Sequence, residues 1–270
     1  MREVESAKKA YEALTAATRE TFPRHGIRAL TKSVDWDKLR TWSLQRVSVL
    51  QPEQEAQRTS GRLVDELYWS FVDLQIALCH VLFVHDTGAL HPGVNQVQVN
   101  AVELPDLKTE DGLFLFYVSV TWEQVYRVWS RFENILRFMF FGETSRPPKG
   151  TRFDLEGILK RMEVECPLVT TLPEYTSLKG LLPDRQTVAT RRNRASHGES
   201  SPFHAILQSD IQISEIFQPS GLPSFTLKLT YPDPAQTIQE LVEGYRKIDG
   251  PWGTTILRFM DAASRTRPSA

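Results

Sequence analysis

The sequence predicts an all-α fold: a helical bundle with inserted β-hairpins and an N-terminal helical extension. Three observations lead there. The long segments repeat their apolar residues at three- and four-residue steps, the period of an α-helix. Strand-like alternation is confined to two connections, at about 94–104 and 206–231. No shift in composition marks a boundary, so the 270 residues read as one elaborated domain. Its parts are an extension with a hairpin over 1–110 and a core over 111–265 carrying the 206–231 insertion.

Taken in order, residues 3–20 predict a first helix from Val4, Ala7, Tyr11, Leu14 and Ala17, and the Phe22–Gly26 stretch ends it. A short helix is expected from Asp35, with Trp36, Leu39 and Trp42 on one side and Pro52 as its limit. A long helix follows over about 53–84, on Leu63, Leu67, Phe71, Leu74, Leu78, Val81 and Leu82; its second half is apolar on most sides and belongs in a core. Val97 and Val99 alternate with Gln96 and Gln98, which predicts a strand or small hairpin. The strongest helix spans about 111–141, on Val125, Val128, Trp129, Phe132, Ile135, Leu136 and Met139, with Gly142 as its stop. A Pro-rich link leads to a short helix at 154–163, and another helix lies within 173–197. The last helix opens at Pro234 and is kinked or broken by Gly250-Pro251; the tail from Ser264 is expected to be disordered.

Composition narrows the function. Hydrophobic residues make up 41% and charged residues 24%, as in an ordinary globular chain with a large core. With 32 Lys and Arg against 33 Asp and Glu, the net charge of −1 argues against a general nucleic-acid coat or a polybasic membrane binder and leaves room for one local basic site. Two cysteines, Cys79 and Cys166, exclude a disulfide scaffold and a Cys-rich zinc module and suit a reducing compartment. No unbroken run of 18 apolar residues predicts a transmembrane helix, and the N-terminus reads as a charged amphipathic helix, not a signal peptide. The expectation is therefore a cytoplasmic protein with no membrane partner.

The segment that stands out is Arg191-Arg192-Asn193-Arg194-Ala195-Ser196-His197-Gly198. A neutral imidazole can take a proton from a ribose 2′-hydroxyl or, once charged, give one to a leaving 5′-oxygen. A guanidinium offers a planar fork of donors to phosphate oxygens and stabilises charge developing at phosphorus. No metal or cofactor is required. A plainer reading stands beside this one: Arg and His in a last helical turn favourably meet the negative end of the helix dipole, and Gly198 is then simply the left-handed residue after the helix.

Other candidates read as structural. His80 lies in an apolar helical stretch. His85, Asp86 and His91 sit in a Gly- and Pro-marked loop without further metal-ligand spacing, and His204 is near the motif in sequence only. Trp122, Tyr126 and Trp129 form a stripe that fits a core better than a base-stacking platform.

The Arg192-Asn193, three residues, His197-Gly198 pattern resembles the signature of the HEPN superfamily, and Phe132-Glu133-Asn134-Ile135-Leu136-Arg137 resembles the acidic-then-basic pattern on another core helix of that family. The resemblance covers about residues 111–262. It implies a small helical bundle that dimerises, bringing two Arg/His motifs into one cleft for metal-independent RNA cleavage through the 2′-hydroxyl, often in prokaryotic defence or toxin–antitoxin systems. By position, Arg192 would stabilise the phosphate, Asn193 would orient, and His197 would carry the proton. Glu133 is a further catalytic candidate, or else a solvated residue paired with Arg137. Arg191 and Arg194 would bind RNA. An antitoxin or activator protein is the implied partner. The alternative is a catalytically silent HEPN-type module that binds a protein or nucleotide partner.

Overall fold

The computed structural model describes residues 20–30, 34–47, 53–88, 90, 94–99, 109–142, 154–197, 211–217, 223–230 and 233–266. The helices are α1 (Trp36–Val47), α2 (Glu53–Thr87), α3 (Thr109–Phe141), α4 (Leu155–Glu165), α5 (Pro167–Thr170), α6 (Pro173–Lys179), α7 (Leu182–His197), α8 (Pro234–Lys247) and α9 (Gly253–Ser264). The strands are β1 (Val94–Val99), β2 (Ile211–Phe217) and β3 (Pro223–Thr230). Helices dominate, as the apolar periods predict.

The chain divides into two compact units, each built from three separated stretches: Met1–Ile27, Ile76–Glu123 and Arg191–Glu243 in the first, and Arg28–Gln75, Gln124–Thr190 and Gly244–Ala270 in the second. Such interleaving leaves no composition shift to read.

In the first unit, residues 20–24 are helical and the chain turns at Gly26, whose φ of 61° lies in the left-handed region that favours glycine. The His25 N–H donates to the Phe22 carbonyl and that of Gly26 to the Pro23 carbonyl, both at 3.1 Å. The core holds Phe22 and Ile27, Leu78, Val81 and Leu82 of α2, Phe114, Val118 and Trp122 of α3, and Ile238, Leu241 and Val242 of α8. The three strands form one antiparallel sheet in the order β1-β3-β2, with Val94 opposite Thr230 and Val99 opposite Phe225. The register of β2 on β3 shifts between Gln212 and Ile216. Within the 206–231 segment β2 and β3 pair antiparallel with each other, and the segment near 94–104 adds the single strand β1 to the same sheet. Pairing between residues 130 apart in sequence leaves no local signal.

In the second unit, Asp35 starts α1 by accepting the Lys38 N–H at 3.1 Å. Leu39 of α1, Leu63, Leu67, Phe71 and Leu74 of α2, and Trp129, Phe132, Ile135 and Met139 of α3 share a core with Leu155, Ile158 and Met162 of α4 and Ile256, Phe259 and Met260 of α9. Helix α3 ends at Gly142, with φ 65° and its N–H on the Phe138 carbonyl at 2.9 Å. Asp154 caps α4 by accepting the Gly157 N–H.

The helix expected within 173–197 is α7, and α5 and α6 precede it, with the chain turning at Gly180-Leu181 between α6 and α7. Pro167 and Pro173 each open a helix at its first turn, where their missing N–H costs nothing. Between α8 and α9 the backbone leaves helical geometry at Gly250 (φ −111°, ψ −106°), the break that Gly250-Pro251 predicts.

Helix α2 is long and apolar enough to cross a membrane by length and composition, and 61% of its most apolar 18-residue window is buried in the fold. The predicted first helix falls largely outside the described residues, as do His91, Gly198, His204 and the tail beyond Thr266.

Candidate functional site

Helix α7 carries the motif. Its inward side places Arg185 and Val188 under cover, three residues apart, and its polar residues face outward. The helix runs without a break through His197, so Arg192, Asn193 and His197 share one helical backbone. The side chains of Arg194 and His197 lie outside the described residues.

In the first unit, the Arg192 Nε donates to Glu123 Oε2 of α3 at 2.7 Å, and its Nη1 donates to Asn193 Oδ1 at 3.1 Å. Arg192 is one-third exposed at its side chain and Glu123 slightly less. Arg191, expected to contact RNA, is ion-paired with Glu240 of α8 at 2.6 Å. The structure therefore joins Arg192 to Asn193 and supplies both neighbouring arginines with carboxylates. Glu123 and Glu240 have no motif around them; only tertiary pairing reveals them. Two carboxylates at the end of α7 do the work the plainer reading gave to the helix dipole: they neutralise and hold its arginines.

Glu133 lies in the second unit and is neither solvated nor paired with Arg137 by an ion pair. It is 5% exposed. Its carboxylate accepts from Arg185 Nε at 2.7 Å, from Arg185 Nη2 at 3.3 Å and from the Leu155 N–H at 3.0 Å. Burial pushes its carboxyl up, against the Arg185 guanidinium and the Leu155 N–H, which favour the charged form. The Arg185 guanidinium also lies 4.5 Å over the Tyr126 ring. Glu133 thus anchors the start of α4 and the first turn of α7 to α3.

A second group of titratable side chains sits in the first unit. His25 Nε2 lies 3.1 and 3.2 Å from the two Asp86 oxygens, and His85 Nδ1 lies 3.0 Å from Asp86 Oδ1. Burial pushes the Asp86 carboxyl up, and the hydrogen bonds from His85 and His25 outweigh it, so the group ends below the ordinary carboxylate range. The sequence reading set His85 and Asp86 beside His91; the structure instead gives Asp86 to His25, 61 residues away. Among the described residues no group of three His, Cys, Asp or Glu is placed to hold a metal ion. His80 is half-buried and stacked on Tyr117, with centroids 4.8 Å apart, and burial lowers its pKa. Trp122 and Trp129 are buried, as a core stripe should be.

No family pattern, curated protein or solved structure matches this chain, so its classification rests on the residues and geometry above.

Proposed function

We propose that this chain is a metal-independent endoribonuclease with an HEPN-like helical bundle, acting as a homodimer. The observation that carries the reading is the continuity of α7, which keeps Arg192, Asn193 and His197 on one rigid helix with Arg192 already oriented by Glu123 and Asn193. Five residues along an α-helix separate two Cα atoms by about 9 Å and turn about 140°. Arg and His of one copy therefore start from different sides of the helix, and a second copy facing the first supplies the complementary pair around a single phosphate.

In this reaction one His197 imidazole takes the proton from a ribose 2′-hydroxyl. The 2′-oxygen attacks phosphorus and the bond to the 5′-oxygen breaks. The imidazolium of the second copy protonates that leaving oxygen. Arg192 faces the non-bridging oxygens and holds the charge that builds on them. The products are a 2′,3′-cyclic phosphate and a 5′-hydroxyl. Such an activity suits prokaryotic defence or a toxin–antitoxin pair, with an antitoxin or activator protein as regulator and RNA as substrate.

The test is incubation of the purified chain with mixed RNA in EDTA, beside His197→Ala and Arg192→Ala. Cleavage by the wild type that both substitutions abolish supports the reading, as does a dimer by native mass at micromolar concentration. Cleavage that survives His197→Ala, or a strictly monomeric protein, refutes it.

One observation favours the alternative of a silent binding module. The Arg192 guanidinium already spends its Nε on Glu123, so a phosphate must share the group with a carboxylate. RNA left intact by the wild type and both variants selects that module.

A further inference from the structure

The second unit contains an open groove of about 550 Å³ between α2 and α3. Arg58, Arg62, Asp65 and Trp69 line it from α2, at steps of four, three and four residues that keep them on one side of the helix, and Arg127 and Arg131 line it from α3.

Its chemistry is uneven in a useful way. Glu66 is held by Arg131 at 2.7 Å and lies 3.9 Å from Arg62, and Asp65 is held by Arg40 at 2.5 Å. Two of the three acidic side chains that line the groove, Asp65 and Glu66, are therefore already answered by arginines, and the third, Asp73, is one helical turn beyond Trp69. Arg58 is exposed and has no acidic partner within 4.0 Å among the described residues.

Trp69 is 60% exposed, an unusual state for an indole on a helix whose other large apolar residues in this unit are mostly buried. Its ring meets Tyr68 edge-on, at 5.6 Å and 82°, and Tyr68 meets Trp36 in the same manner at 5.3 Å. The indole is thus braced from one side and open to the groove. At Gly61, which also lines the groove, an added Cβ would have no side chain within 4 Å, so the groove is open there.

We propose that this groove binds an unpaired nucleotide, with the base stacked on Trp69 and the phosphate held by Arg58 and Arg62. Indole and guanidinium recognise the two halves of that ligand: a π-face for the base and a fork of donors for the phosphate. The same chemistry is offered by a single-stranded RNA segment and by a free mononucleotide. This site shares no residue with the Arg192 motif, and it stands or falls by binding, not cleavage.

The experiment measures fluorescence anisotropy with a labelled single-stranded 2′-O-methyl ten-mer, which lacks the 2′-hydroxyl needed for cleavage. Unlabelled adenosine monophosphate and inorganic phosphate serve as separate competitors. The variants are Trp69→Ala, Arg58→Ala and Gly61→Leu. The first two act on exposed side chains, and the third fills open space and replaces a glycine inside a helix, so no variant should melt below the wild type. Binding is expected to weaken about tenfold or more in Trp69→Ala and to weaken in the other two variants. It should also weaken with salt at a log–log slope of about 0.7 per phosphate engaged. Stronger competition by adenosine monophosphate than by phosphate supports base stacking, and full competition at stoichiometric mononucleotide identifies the free nucleotide as ligand. No binding of either probe, binding unaffected by all three substitutions, or equal competition by inorganic phosphate overturns the proposal.

Discussion

Replacing Arg185 by Met should cost this protein more than any exposed ion-pair substitution. The perturbation removes both guanidinium donors from the Glu133 carboxylate, at 2.7 and 3.3 Å, and leaves the Leu155 N–H as its one remaining hydrogen-bond donor among the described residues. Side-chain exposures of 7% and 6% leave little water to replace them. Breaking a buried pair by removing one partner costs about 3–5 kcal/mol. For a chain of this size each kcal/mol moves Tm by about 2–4 °C, so a fall of roughly 6–20 °C is expected. Adding Glu133→Gln should recover much of the loss, because the amide carries no charge to strand and its oxygen still accepts from Leu155. Urea unfolding of the wild type, both single variants and the double variant gives the coupling energy, expected to exceed about 1 kcal/mol for residues in one hydrogen-bonded network. A single-variant cost below about 1 kcal/mol, or strictly additive losses, refutes the reasoning. If RNA cleavage is found, the same variants also separate roles: an anchoring Glu133 predicts that the Glu133→Gln, Arg185→Met protein keeps activity in proportion to its folded fraction.

Two further outcomes follow from the geometry. Asp86 has a folded-state pKa held below its unfolded value of about 3.9, so its contribution to stability is present above that pH and disappears as pH falls through the lower folded value. The stability gap between wild type and Asp86→Asn, measured by urea unfolding, should therefore close as pH falls below about 4; a gap that persists or grows below that pH refutes the assignment. Tyr245 donates its hydroxyl to the Arg28 carbonyl at 2.7 Å and accepts the buried Leu30 N–H at 3.2 Å, so Tyr245→Phe should lose about 1–3 kcal/mol by calorimetry, and a neutral result would mean that water replaces both bonds.

Local sequence carried much of the fold. Gly142 and Asp154 stand at helix ends because a left-handed residue and a carboxylate cap are local requirements, and Gly250-Pro251 breaks the last helix for reasons confined to two residues. Pairings across the chain were not legible. Glu133 read most simply as a partner for Arg137 four residues on, yet it chooses Arg185, 52 residues away, since burial and helix packing decide between them. Likewise β1 joins β3 across about half the chain, and Glu123 reaches Arg192. The motif itself was visible as residue types; the carboxylates that hold it became visible only in three dimensions. Trp69 and Arg58 escaped notice because exposure, not spacing, sets them apart.

The interleaved construction has a consequence for how the protein is made. Each compact unit needs a stretch from the last third of the chain, and the second needs residues from Gly244 onward. At about 5–20 residues per second, a ribosome takes roughly 10–50 s to go from the first stretch of that unit to its last. Throughout that interval α1 has emerged without α9, the C-terminal helix that packs against it. Production in cells should therefore depend on chaperones that shield nascent apolar helices, and truncation after residue 243 should yield insoluble material, not a smaller folded protein.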